Sequence, residues 1–594
     1  MSLRQRPVSA ESSLADVQEK VVAHANGKGH GIQPPLSATS KLASRLFIFL
    51  SALGLSALLF LASNLPSFGA PSPYLDYSAP YVLCSSEPAK VYTVDAKNAP
   101  VQCILVYKSY ILQTGTLAEV QLHWNNRLKD KDASSELRVR YTPRDRLFLD
   151  AHAHILEYGA SRQLALEGTK TISETVARVR EYILANPDVY SNTSIWIFAR
   201  WPTAADLDSD PILRDCHAIW VSGKAIDVSL PFPNVVEGGV IVRDEYGHPT
   251  GMFLDNAQDI IVQPEPTEND LLRRFSIAVQ DAVSLGLTSI HDAGLNPMSL
   301  DFFIRQAELN KLPYWGNKTK PIIDAGNGRL TARSVKFLPT GINCLYSGAL
   351  RTGGAALYEP YADNPSTNGA MRISSEVLHH FIPLFLRDGW QVNVHAIGDR
   401  ANGIVMDVFE ASLNGVNISA SRPRLEHAQI MTQADRERLG KLGVIASIQP
   451  THADWFFYSF IQGPERVKNL YAFRSLIDSG ARIALGSDFP VESPNPLSGF
   501  YAAITRLSPD GKSPHGPGGW FPQERLSRQE ALRGMTIDPA YASFTESTLG
   551  SLEPGKRADF VILSRDIMSV PFDQILDTKV IATVIDGSPV YGRF

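Results

Sequence analysis

QVNVHAIGD (391–399) is one of four short apolar runs that carry the clearest fold signal in this chain. The others are RPRLEHA (422–428), VIASIQP (444–450) and ARIALGSD (481–488), and amphipathic helical stretches lie between them. Apolar strands that alternate with helices indicate βαβ units and a parallel sheet. The same alternation extends over residues 147–546, so we predict an α/β fold, a (β/α)8 barrel of the TIM type rather than an open sheet.

The composition is that of an ordinary globular protein. The chain has 594 residues, of which 44% are hydrophobic and 20% charged, and its net charge is −5. The chain has 56 basic and 61 acidic residues, so it has no strong basic field that could hold a nucleic-acid backbone. Nucleic acid is therefore excluded as the default partner. The four cysteines are too few and too scattered for a disulfide-built fold.

β-rich sequence brackets the predicted barrel at both ends. Short strand-like runs occupy residues 80–146, and a similar pattern occupies residues 547–594. Cys84 and Cys103 lie on two of the N-terminal runs, which are close enough in sequence to be neighbouring strands. An oxidising compartment could join them in a disulfide, and two reduced core cysteines are the alternative.

The N-terminal region contains one long uncharged segment, LFIFLSALGLSALLFLASNL (46–65). Its length matches the ~20 residues that a helix needs to cross a bilayer. We therefore predict an uncleaved signal-anchor helix over residues 44–66, after a disordered cytosolic tail at residues 1–43. Basic residues flank only its N-terminal side, so the positive-inside rule predicts a single-pass membrane protein whose main body is lumenal or extracellular. A cleaved signal peptide and a buried core helix are the alternatives.

Histidines and an aspartate lie where the predicted strands end. The first strand, LFLDAHAHI, puts His152 and His154 on one face because side chains alternate along a strand. Later strands end at His395, His427 and Asp488. The working residues of a parallel barrel lie at the C-terminal strand ends, so these side chains are expected around one cavity. Imidazoles with a carboxylate suit Zn²⁺ or a similar metal.

This pattern resembles the metal-dependent amidohydrolase superfamily. VNVHAIGDRAN (392–402), RLEHAQIM (424–431), LGSDFPVE (485–492) and GSLEPGKRADFVIL (550–563) are similar to its amidohydrolase family 3 (YtcJ-like) branch, in the same order and spacing. The resemblance covers residues 88–594. It implies that the two β-rich ends form one small β-sandwich beside the barrel.

The resemblance also implies a metal centre and a reaction. The residues at the family's metal-ligand positions are expected to bind one or two divalent ions such as Zn²⁺. In this sequence they are His152, His154, Lys336, His395, His427 and Asp488. Lys336, on the fourth strand, would be carboxylated and bridge two metals, and an ordinary barrel-rim lysine is the alternative. We expect a metal-dependent hydrolase of carbon–nitrogen bonds other than peptide bonds, with Asp488 as general base and His427 assisting, and a small amide-like substrate.

Three further histidines are candidate substrate contacts. His291 closes a predicted third strand, whereas His217 and His452 resemble substrate-loop positions of the family. The chain departs from the family in a shortened segment at residues 195–221, an insertion after Lys336 with Ser347 in place of an aspartate, and a compressed stretch after His452. These changes lie near strand ends, so a non-catalytic binding or regulatory protein is the alternative function.

Overall fold

In the computed structural model, the chain is described over residues 79–86, 91–129, 137–142, 145–146, 148–164, 171–185, 218–221, 223–236, 239–262, 265–309, 322–324, 330–337, 350, 353–371, 373–452, 463–513 and 515–594. The strands in these ranges, in chain order, are β1 (Tyr81–Ser85), β2 (Val91–Tyr92), β3 (Pro100–Val101), β4 (Cys103–Tyr107), β5 (Tyr110–Gly115), β6 (Arg138–Thr142), β7 (Asp145–Arg146), β8 (Phe148–Ala153), β9 (Ala218–Trp220), β10 (Gly239–Arg243), β11 (Pro249–Asp255), β12 (Leu287–Asp292), β13 (Ile322–Asp324), β14 (Leu330–Ala332), β15 (Ser334–Phe337), β16 (Gln391–Ala396), β17 (Arg424–His427), β18 (Ile445–Ile448), β19 (Ile483–Leu485), β20 (Phe560–Leu563), β21 (Val580–Ile585) and β22 (Ser588–Gly592).

Helices follow most of the barrel strands. They are α1 (Leu117–Lys129), α2 (Ile155–Gln163), α3 (Ile172–Ala185), α4 (Gly223–Ser229), α5 (Glu268–Ser284), α6 (Pro297–Glu308), α7 (Ser375–Arg387), α8 (Asp399–Ser412), α9 (Ile418–Ser421), α10 (Gln433–Leu442), α11 (Phe473–Asp478), α12 (Pro496–Thr505), α13 (Arg528–Gly534) and α14 (Ile537–Ala542). Side chains satisfy the free amides at several helix starts. At α5, for example, Thr267 and Asp270 form a reciprocal capping box.

The barrel strands pair in parallel. β15, β16, β17, β18 and β19 form one continuous sheet in that order, and β8 pairs with β12. Val392 and Val394 of β16 are buried in the main core cluster together with Leu425 of β17, so the side chains between them are left for the opposite face of the sheet. The strands run in the same direction, and their C-terminal ends therefore lie at the same edge.

Backbone hydrogen bonds connect β8 to the segment that follows β19. The amide of Asp488 donates to the carbonyl of His152 at 2.7 Å, and the amide of His154 donates to the carbonyl of Phe489 at 2.9 Å. Gly486 makes this approach possible, because a Cβ atom there would lie 2.5 Å from the backbone nitrogen of His152. This contact, which we call the β8–β19 joint, brings the first and last barrel strands together.

Strands from both chain ends form two further sheets. One has the order β5-β4-β1-β6, and the other has the order β22-β21-β20-β7-β2-β3. Tyr81 and Ile104 of the first sheet share a buried cluster with Phe560 of the second. Cys84 lies directly opposite Cys103 in the β1–β4 pair, and in the structure a disulfide joins the two cysteines.

The predicted membrane placement requires a correction. The expected tail at residues 1–43 and anchor at residues 44–66 lie outside the described residues. Within the part of the chain that the structure describes, no helix is long and apolar enough to cross a bilayer. The longest there, α5, has 17 residues and begins with acidic side chains, whereas a span needs ~20 mostly apolar residues. The prediction of a single-pass membrane protein with a lumenal or extracellular body is therefore wrong on this finding, and the membrane is withdrawn as a partner.

Candidate metal centre

The predicted ligands sit at the C-terminal ends of the barrel strands. His152 lies in β8 and His154 just beyond its end, whereas His395 lies near the end of β16. His427 is the last residue of β17, and Asp488 follows β19 by three residues. Parallel pairing brings these strand ends to one edge, so side chains more than 300 residues apart in sequence meet.

One oxygen of Asp488 faces two imidazoles. Its Oδ1 atom lies 3.1 Å from Nε2 of His154 and 3.4 Å from Nε2 of His152. All three side chains are buried, and one donor atom from each lies within 4.8 Å of the others. Two donors that are each ~2.1 Å from one ion in tetrahedral geometry lie about 3.4 Å apart, so these spacings fit a divalent cation of the zinc type.

Burial and charge set the protonation of the site. Burial alone would raise the pKa of Asp488, but His152 and His154 hold that pKa well below its usual range. Burial, reinforced by His152, holds the pKa of His427 well below the usual imidazole value. Asp488 is therefore anionic and His427 neutral near pH 7, which are the forms in which these groups bind metal.

His152 is oriented by a buried carboxylate that the sequence analysis did not single out. Its Nδ1 atom lies 2.6 Å from Oε2 of Glu426, and both side chains are at most 1% exposed. Arg424 balances that charge, with Nε 3.0 Å from Oε1 of Glu426. Burial raises the pKa of Glu426, yet Arg424 and His152 bring it well below its usual range. The sequence does contain a signal for this pair, because Arg424 and Glu426 are charged residues at alternate positions of the otherwise apolar strand in RPRLEHA.

Asp150 lies on the same strand face as His152, but its carboxylate is used in hydrogen bonds to β8 and to the segment after β19. One of its oxygens accepts a hydrogen bond from the amide of His152 at 3.0 Å, and the other accepts one from the hydroxyl of Ser487 at 2.6 Å. Burial raises the pKa of Asp150 to about 6 despite these bonds. Asp150 thus strengthens the β8–β19 joint beside the predicted metal ligands.

Two of the predicted ligand positions have a left-handed backbone. His427 has φ +71° and Asp488 has φ +58°, and Ala428 follows with φ +44°. Such conformations cost residues other than glycine on the order of 1–3 kcal/mol each and persist only where the surrounding structure imposes them. The chain therefore turns sharply at the end of β17 and after β19, where these two predicted ligands lie.

Three other predicted residues lie beside this cluster. Nζ of Lys336 is 3.2 Å from Nε2 of His152. The ring of His395 packs against that of His427 with centroids 4.0 Å apart. Nε2 of His452 is 3.6 Å from Oδ2 of Asp488. The structure therefore brings Lys336 and His452 to the predicted ligands and places His395 against one of them.

The remaining substrate-contact predictions have different outcomes. His291 is the last but one residue of β12, which pairs directly with β8, so it lies on the neighbour of the first strand rather than on a third strand. Its Nδ1 atom is 3.3 Å from Nη1 of Arg424. His217 lies outside the described residues, as do Ser347 and most of the segments in which the sequence departs from the family. Their roles stay predictions.

A parallel α/β barrel with imidazoles and a carboxylate at its strand ends is the arrangement of a metal-dependent hydrolase. The model of the amidohydrolase family matches residues 147–591, and the chain belongs to that family. This membership confirms the predicted enzyme class, a hydrolase of carbon–nitrogen bonds.

Relatives extend over most of the chain. A Bacillus subtilis protein named as an amidohydrolase, YtcJ, is 29% identical over 539 residues, which are 85% of this chain and 98% of the relative. The N-substituted formamide deformylase of Arthrobacter pascens is 27% identical over 545 residues, or 85% of this chain and 97% of the relative. The crystal structure of an uncharacterized metal-dependent hydrolase from Pyrococcus furiosus matches this chain with a TM-score of 0.62 at 24% sequence identity. The match covers 83% of this chain and 100% of that chain. That likeness confirms the predicted barrel fold.

Proposed function

We propose that the chain hydrolyses the carbon–nitrogen bond of a small amide-like substrate with a divalent cation, Zn²⁺ or a similar ion, held by His152, His154 and Asp488. The observation that carries this proposal is the spacing of their donor atoms, with Nε2 of each histidine 3.1–3.4 Å from the same carboxylate oxygen. The relative named as an N-substituted formamide deformylase supports N-acyl compounds, formamides among them, as the first substrates to examine.

The protein side chains divide the work of the reaction. A bound divalent cation lowers the pKa of water and polarises a carbonyl group. Asp488, which is anionic and buried, accepts a proton from the attacking water and passes it to the leaving amine. His427 donates a hydrogen bond to the carbonyl oxygen as negative charge develops there. Glu426 keeps Nδ1 of His152 occupied, so that Nε2 is the atom that faces the site.

Lys336 and His395 are the further ligands that the family resemblance suggests. Nζ of Lys336 is 3.2 Å from a ligand atom of His152, where an ammonium group would repel a cation. Addition of CO₂ to the neutral amine, with loss of one proton, would convert it into an anionic carbamate with oxygen donors, so we propose the carboxylated form when the site holds metal.

The test is turnover by the purified protein across N-substituted formamides, other N-acyl amines and cyclic amides. In Asp488→Asn we expect kcat/KM to fall at least 100-fold, because general base catalysis typically contributes ~10²–10⁴. Metal content is measured in parallel, and Asp244→Asn, in the exposed β10–β11 turn, serves as the control that keeps wild-type turnover. Turnover that survives Asp488→Asn unchanged would refute the mechanism.

A further inference from the structure

A folded loop connects β15 to α7, and we call it the 353–371 loop after its described residues. The amide of Leu357 donates to the carbonyl of Asn368 at 2.8 Å, and the amide of Tyr361 donates to the carbonyl of Thr367 at 3.0 Å. The side chains of Leu357 and Tyr361 belong to the main buried core. Connections that leave the C-terminal ends of barrel strands lie at the same end as the active site, so this loop lies at the mouth of the barrel.

Asp399 fastens the 353–371 loop to the start of α8. One oxygen of its carboxylate accepts hydrogen bonds from the amide of Tyr358 at 2.9 Å and from the amide of Arg400 at 2.8 Å. Arg400 adds a bond from Nη2 to the carbonyl of Gly369 at 3.0 Å. Because α8 begins four residues after His395, these bonds hold the loop after β15 against the connection after β16.

Arg466 binds the same loop from a connection further along the chain. Its Nη2 atom donates to the carbonyls of Glu359 at 3.0 Å and Pro360 at 3.1 Å, and Nη1 donates to the carbonyl of Pro360 at 3.2 Å. Nε lies 3.9 Å from the second carboxylate oxygen of Asp399, and the two side chains are 14% and 13% exposed. Water screens such a pair weakly. The rigid fork of a guanidinium suits an arginine to hold carbonyls and a carboxylate together.

The connection that carries Arg466 also holds the predicted substrate contact His452. Tyr471, five residues after Arg466, donates from its hydroxyl to the carbonyl of His452 at 2.9 Å. Its amide donates to the carbonyl of Gln429, which follows β17, at 2.9 Å. One short stretch of chain is thus bonded to the connections after β15, β16, β17 and β18. Since Nε2 of His452 is 3.6 Å from Oδ2 of Asp488, movement of this stretch would shift His452 relative to the site.

From these contacts we propose that Arg466 is a positioning residue for substrate binding. Through its bonds to the 353–371 loop and to Asp399, it holds the mouth of the barrel in the shape in which His452 meets the substrate. The proposal rests on the proposed function and deepens it. Loss of Arg466 therefore changes KM rather than kcat or metal content, because an interaction made equally with substrate and transition state does not affect kcat.

The first experiment compares steady-state kinetics of Arg466→Ala, Arg466→Lys and the wild type on N-substituted formamides and other N-acyl amines. We expect KM to rise about tenfold in Arg466→Ala, the effect of one hydrogen bond to a charged group, with kcat and bound zinc unchanged. Arg466→Lys should recover part of the loss, since lysine keeps the charge without the fork. Arg243→Ala is the matched control, because Arg243 also donates to two backbone carbonyls but lies in β10, and it should keep the wild-type KM.

Amide hydrogen exchange gives a second readout that needs no substrate. In Arg466→Ala we expect faster exchange at Leu357 and Tyr361, whose amides are bonded within the 353–371 loop, and unchanged exchange at Leu425 in β17. Faster exchange at all three amides would indicate general destabilisation and overturn the proposal, as would unchanged exchange in the loop. An active enzyme whose KM is unaffected by Arg466→Ala would overturn this proposal alone, whereas a wild type that hydrolyses none of the substrates would remove the proposed function.

Discussion

Glu426 is the residue on which the orientation of His152 depends. It bonds to His152 across a separation of 274 residues, and Arg424 holds it from the other side at 3.0 Å. A carboxylate that accepts the second imidazole N–H of a metal ligand fixes both the tautomer and the ring angle. Both side chains are buried, so if the Glu426 carboxylate were removed, water could not replace it as the hydrogen-bond partner of His152.

Replacing this carboxylate should weaken metal binding without removing a ligand. In Glu426→Gln we expect the affinity for Zn²⁺ to fall ~10–100-fold, the usual effect of losing such a supporting group. Competition with a coloured chelator measures the affinity. Glu437→Gln, on the exposed face of α10, is the matched control. Equal affinities in the two variants would show that Glu426 does not position His152.

Among the secondary-structure elements, the contact between β8 and β19 is the most restrictive. A Cβ atom on Gly486 would lie 2.5 Å from the nitrogen and 2.7 Å from the Cβ of His152. Neither atom is the end of a flexible side chain, so the strands would have to separate. The same movement would shift His152 away from Asp488.

Gly486→Ala is therefore expected to lower the free energy of unfolding by about 1–3 kcal/mol, as over-packing does. The measurement is urea denaturation at neutral pH. Gly499→Ala, in α12, is the matched control because a Cβ there has nothing within 4 Å, and we expect it to gain ~0.5–1 kcal/mol. A Gly486→Ala variant as stable as the wild type would mean that the joint tolerates separation.

At the scale of the whole molecule, the proposed cation connects the first and the last barrel strands. A ligand that binds only the folded chain stabilises it by ~4 kcal/mol at 1,000 times its dissociation constant. We expect a chelator to lower the melting temperature and added Zn²⁺ to restore it. In His154→Ala the chelator-induced decrease should be much smaller. If the chelator lowered the melting temperature of the wild type and of His154→Ala by the same amount, the stabilising ion would have to bind at another site.

Much of the architecture was predictable because it depends on local patterns. Alternating apolar strands and helices predicted the parallel barrel, and its strand ends located His152, His154 and Asp488. The membrane placement was wrong, since it depended on hydropathy and flanking charge in one segment, and no spanning helix exists among the described residues.

What needed the tertiary structure was the choice among residues that are equally plausible in sequence. Side-chain periodicity and composition are properties of a few consecutive residues, so the strands and their polar ends can be read from them. The distances from Glu426 to His152 and from His452 to Asp488 depend on strand register and on the path of loops between remote segments. Those are set by packing of the whole barrel, and only the folded chain shows that Glu426 supports one imidazole and that His452 faces the second oxygen of Asp488.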